Sequence, residues 1–149
     1  MNEKSLLKEG IEQALDKLYS RDSLIIHRNK NNHTGERIIV FRFGMYFDEY
    51  CRQRMLDYNV DEEYNRNIDD AKKLSNNLVI PDLIVHKRHS NEDNLLVLEF
   101  KTWWNKDQRA DKNKIKGFIN PNGRYHYKYG AVILIHKTRK ECKMDWVEF

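Results

Sequence analysis

The 149-residue chain has little of what marks the specialised classes of protein. It has two cysteines, Cys51 and Cys142, with no C-x-x-C spacing and no histidine at ligand spacing. That argues against a zinc site and against a disulfide framework. It has two prolines, Pro81 and Pro121, no Pro/Ser-rich or low-complexity tract and no internal repeat, so nothing reads as a linker. Its longest unbroken apolar run, Ala131 to Ile135, is far too short to span a bilayer. The opening MNEKSLLKEG mixes acids and bases and lacks the apolar stretch of a secretory leader. The expectation is a cytoplasmic protein with no membrane partner. The excess of one charge is small as well. Lys plus Arg number 27 against 23 Asp plus Glu, a net +4, which permits a nucleic-acid partner without requiring one.

What is present is enough apolar residue, clustered rather than scattered, to build a single domain over 1–149. From Lys4 to Tyr19, Leu7, Ile11, Leu15 and Leu18 recur at helical spacing. Ser23 to Asn29 is a short apolar stretch with no clear period. A second helix is expected from about Thr34, a candidate N-cap, to about Met55, with Ile39, Phe43, Phe47 and Tyr50 on one face. Val60 to Asn65 alternates as a strand does. The polar run from Asn65 to Asn77 reads as irregular, with one helical turn at most. Pro81 to Arg88 and Leu95 to Lys101 read as two strands joined in a hairpin. Asn105 to Phe118 reads as a helix. Tyr125 to Lys137 reads as one long strand, and Met144 to Phe149 as a short edge strand. The order predicts an α/β fold whose mixed central sheet is flanked by helices. Three antiparallel strands are followed by a helical crossover and a parallel fourth strand.

Polar residues at the ends of apolar strands need a reason. Asp82 opens one such strand, and Glu99 and Lys101 close the next. Strand alternation puts Glu99 and Lys101 on one face, with Leu95 and Val97, and Phe100 on the other with Leu96 and Leu98. Hairpin pairing then brings the start of the first strand, Asp82, to the end of the second. Two neighbouring carboxylates repel, and a hard divalent cation relieves the conflict. The backbone carbonyl of Phe100 is a further candidate oxygen ligand. Mg²⁺, with Mn²⁺ able to replace it, would polarise a phosphate oxygen and acidify a water. Lys101 would position that water or stabilise growing negative charge. Glu36, in the first turn of the preceding helix, is a third acid within reach.

The segments PDLIVHKR and LLVLEFK together resemble the bipartite motif of the PD-(D/E)xK, or restriction-endonuclease-like, nuclease superfamily. The resemblance covers about 34–136 and extends to its αβββαβ core, here with an extra N-terminal helix. The stretch EYNRN, Glu63 to Asn67, is similar to small bacterial members. The resemblance implies Asp82 and Glu99 as metal ligands, Lys101 as the catalytic lysine, and Glu36 as the helix glutamate that completes the site, directly or through a water. It implies a nucleic-acid substrate, DNA ahead of RNA. The same superfamily holds inactive members, so a non-catalytic nucleic-acid-binding or assembly module on this fold is the rival reading.

Around this centre, Lys112, Lys114 and Lys116 on the following helix are candidate phosphate contacts or simply a solvated face. Arg66 and Arg124 are candidates by location alone. His86 shares the Asp82 face by alternation, either near the phosphate or supporting the site from behind. Tyr127, in the row Tyr125, Tyr127, Tyr129, would either stack on unpaired bases or pack across strands. No separate DNA-reading domain is visible, which suits a homodimer or a targeting partner protein.

Overall fold

The computed structural model describes all residues but 1, 33, 34, 55, 56, 65, 68, 69, 72, 75, 76 and 106; of 28–32, 66, 67, 70, 71, 73, 77 and 78 it describes the backbone alone. In chain order come α1 (Glu3–Arg21), α2 (Ser23–Asn32), α3 (Glu36–Arg54), β1 (Asn59–Glu62), β2 (Arg66–Asn67), β3 (Asp70–Ala71), β4 (Lys73–Leu74), β5 (Asn77–Leu78), β6 (Leu83–His86), β7 (Leu96–Thr102), α4 (Arg109–Ile119), β8 (Tyr129–Ile135) and β9 (Lys143–Trp146), with a short 3₁₀ turn at Arg139–Glu141.

α1 begins where the Asn2 side chain accepts the Ser5 N–H at 2.8 Å, a helix N-cap. Its stripe of Leu7, Ile11, Leu15 and Leu18 is buried as the spacing predicts, and it packs along α3. The apolar run after it is helical. α2 turns Ile26 into the core and leaves Leu24 exposed, a separation that residues two apart achieve on a helix and not on a strand. α3 spans nearly the expected range; the candidate cap Thr34 lies outside the described residues.

Five strands form a mixed sheet in the order β1-β6-β7-β8-β9, an α/β arrangement with helices on both faces. β1, β6 and β7 are antiparallel neighbours, α4 crosses over, and β8 runs parallel to β7 from Leu96↔Tyr129 to Thr102↔Ile135. β9 is the far edge, antiparallel to β8. Leu83, Val85, Leu96, Leu98, Phe100, Ala131, Ile133 and Ile135 face α1, α2 and α3. Ile84, Val97 and Val132 face α4. Both faces of the middle strands are therefore covered, which is why they are apolar nearly throughout. At Gly130 the approach of α4 is so close that a Cβ would sit 2.3 Å from Ile115 Cγ2. A glycine there lets helix and strand touch.

Three expectations change. Leu95 joins the α1–α3 side with Leu96, because β7 starts only at Leu96 and the regular alternation starts with it. The polar run after β1 contains two tiny antiparallel pairs, β2 with β3 and β4 with β5, and no helical turn among the described residues. β8 starts at Tyr129, not Tyr125. His126 has a positive φ of 35°, which no strand accommodates, and Tyr125 and Tyr127 fold under α4 against Phe118. No helix of the described residues is long and apolar enough to cross a membrane.

Candidate active site

The β6–β7 ladder stops at Leu83↔Leu98. Beyond it, the Phe100 N–H on that edge has no strand partner and donates to Asp82 Oδ2 at 2.8 Å. Asp82 thus continues the ladder with its side chain, and its own carbonyl accepts the Glu63 N–H at 3.1 Å. The N–H and carbonyl of an extended residue leave on the same edge, so the Phe100 carbonyl faces the Asp82 side.

Glu99 projects from β7 toward α4 and is 2 % exposed. Its carboxyl is pushed up to about 9 by burial first, then by the charge of Asp82 and a hydrogen bond shared with it; Lys114 pulls it back down. Lys114, from α4, places Nζ 2.8 Å from Glu99 Oε1 and donates to the Ile80 carbonyl at 2.5 Å. Lys101 pairs with Asp111 of the same helix, Nζ to Oδ2 at 3.1 Å. Both pairs are close in charge but misaligned. Glu99 Oε1 and Asp111 Oδ2 are buried and accept no hydrogen bond among the described residues.

Glu36 opens α3 and lines a cavity of about 430 Å³ with Arg37, Phe41, Glu62, Glu63 and Asp82. Its carboxyl is pushed up to about 7, by burial and then by Asp82 and Asp111, against the pull of Lys101. Arg37 closes one wall through Glu63 at 2.7 Å. Asp82, Glu99, Lys101 and Glu36 therefore meet at one end of the sheet, drawn from α3, the mouth of β6 and the end of β7.

Asp111 and Lys114 complete that end; the sequence offers Lys114 only as a phosphate contact or a solvated lysine, and Asp111 not at all. They had a signal. Asp111, Lys114, Ile115 and Phe118 fall on one helical stripe, and Ile115 and Phe118 are buried. Polar residues on the apolar face of a helix face the sheet. Lys112 is half-buried and Lys116 exposed, off that stripe. Arg124 is exposed in the loop after α4, while the Arg66 side chain lies outside the described residues.

Two expected nucleic-acid contacts are corrected. His86 is 2 % exposed and is bonded to Asp61 Oδ2 at 2.7 Å. It lies on the right face but at the wrong end of β6, about 13 Å from Asp82 at strand rise. Tyr127 is 2 % exposed under α4 and cannot offer its ring to a base.

Among the described residues, no group of three or more His, Cys, Asp or Glu side chains is arranged to hold a metal ion. The donors at hand are two adjoining carboxylates, Asp82 and Glu99, with the Phe100 carbonyl on the same edge. That set suits Mg²⁺, which takes hard oxygens, needs only one or two carboxylates and keeps several waters. Comparison of the chain with protein-family models, with curated proteins and with solved structures finds no match in any of the three.

Proposed function

We propose that this chain is a metal-dependent nuclease of the PD-(D/E)xK type, built on a restriction-endonuclease-like core of α3, β1, β6, β7, α4 and β8. The observation that carries the reading is the Asp82–Glu99 pair. Glu99 is buried beside the half-buried Asp82, and two adjoining carboxyls are held together most readily by a cation. Asp82, Glu99 and the Phe100 carbonyl would hold Mg²⁺ or Mn²⁺, with Glu36 reaching it through a water. The bound ion supplies polarisation of a phosphate oxygen and acidification of a water. Lys101, steadied by Asp111, acts through its positive charge on the phosphate as negative charge grows there. Water attacks phosphorus in line, the phosphorus–oxygen bond to the leaving sugar breaks, and the leaving oxygen takes up a proton. The substrate is DNA ahead of RNA. Lys112, Lys116 and Arg124 supply phosphate contacts on the α4 side. Cutting both strands calls for a homodimer, and targeting for a partner protein.

One observation favours the rival, an inactive nucleic-acid-binding module: both lysines of the site are engaged in internal ion pairs. The test is cleavage of plasmid, single-stranded, branched and RNA substrates with Mg²⁺, Mn²⁺ or EDTA. Metal-dependent cutting lost in Asp82→Ala and Lys101→Ala supports the nuclease. Binding without cutting turns the reading to the module, and equal cutting by all variants exposes a contaminant.

A further inference from the structure

Lys114 is placed as a metal ion would be. Its ammonium rests between a carboxylate oxygen, Glu99 Oε1, and a backbone carbonyl, that of Ile80. These are the donors a hard cation takes. The carboxyl oxygen is buried and, among the described residues, has Lys114 as its close cation, so leaving it would free a hard donor. The lysine is not locked in: its side chain is 26 % exposed, and its stem is flexible enough to swing outward. The neighbouring pair differs. Lys101 and Asp111 are both held more deeply, at 17 % and 15 %.

We propose that Lys114 is a resident cation that occupies the seat beside Glu99 in the metal-free protein and leaves it when a divalent cation arrives. The inference rests on the metal-site reading above and adds a residue to it. Lys114 is then a positioning residue: it keeps Glu99 folded inward without metal and sets the affinity at which metal enters. Its ammonium and the metal compete for one carboxyl oxygen, so removing the ammonium strengthens metal binding.

The probe is Mn²⁺, titrated calorimetrically and by electron paramagnetic resonance into the purified wild type and variants without nucleic acid. Lys114→Met is expected to bind Mn²⁺ roughly tenfold or more tightly, since one unit of positive charge beside the site is gone. Lys114→Arg, which keeps the charge, is expected to stay near wild type. Adding Glu99→Gln to Lys114→Met is expected to abolish the gain. Should Lys114→Met not fold, Lys114→Gln carries the same comparison. Unchanged or weaker Mn²⁺ binding in a folded Lys114→Met protein overturns the inference. If the wild type still cuts DNA in that case, the inference alone falls. If no variant binds Mn²⁺ and the wild type cuts nothing, the nuclease reading falls with it.

Discussion

The two ends of β6 hold similar ingredients with opposite outcomes. At the His86 end, Asp61 accepts bonds from His86 and from two nitrogens of Arg88. Burial works against the Asp61 charge, yet those bonds outweigh it and hold the carboxyl down at about 2. At the Asp82 end, acids outnumber their cations. Glu36, Asp82, Glu99 and Asp111 face Lys101 and Lys114, and Glu36 and Glu99 are pushed up to about 7 and about 9. One cluster matches donors to acceptors and stabilises the fold. The other gathers more carboxyls than cations in a largely buried place. Buried charge is tolerated when its partners are complete, and an incomplete set marks a place where a ligand is expected.

Breaking each cluster should therefore damage different properties. The largest effect is on cleavage: Lys101→Ala should lower it by at least about a hundredfold, in single-turnover assays with saturating Mn²⁺. Asp61→Ala should leave cleavage per folded molecule intact and destabilise the protein by about 3 kcal/mol, because it strands His86 and Arg88. Glu99→Gln should do the reverse, abolishing cleavage while leaving urea stability unchanged or raised. Equal stability losses in Asp61→Ala and Glu99→Gln would erase the distinction between the two ends.

The pH dependence separates them with a smaller effect. Folded Glu99 and Glu36 keep protons that the unfolded chain releases near 4.5. Their contribution to stability is full below that value and is lost as pH climbs through about 7 and about 9. Asp61 runs oppositely: its contribution is full above 3.8 and fades as pH falls through about 2. Thermal unfolding in EDTA should show both flanks, and Glu99→Gln should flatten the alkaline one only. The smallest effect is expected at Tyr127, whose buried hydroxyl has no hydrogen-bond partner among the described residues. Tyr127→Phe should be neutral or stabilising by up to about 1 kcal/mol, with nucleic-acid affinity unchanged.

Much of the site end was legible because a strand has only two faces. Alternation put Glu99 and Lys101 together, and the hairpin brought Asp82 to them. Its weakness is that a shared face is not a shared place. His86 is on the face named for it, yet its length of strand away from Asp82 carries it to the other cluster. Tyr125 and Tyr127 alternate equally well in a loop, and nothing in the letters reveals the backbone turn at His126. Asp111 was hidden by composition, and Lys114 reads in the sequence as a phosphate contact or a solvated charge. In a helix rich in lysine, the charges read as solvated. Only the position of Ile115 and Phe118 shows which of them turn inward.

The tight seat of Ile115 against Gly130 has a consequence for the order in which the domain is assembled. β6 and β7 can pair as soon as both exist, and that pairing sets Asp82 beside Glu99. Lys114 and Asp111 arrive only with the crossover helix, whose seat is on β8. The seat of α4 on β8 therefore holds part of the site as well as part of the core. Pairing β6 with β7 brings Asp82 to Glu99, but both lysine pairs of the site depend on α4 lying against the sheet.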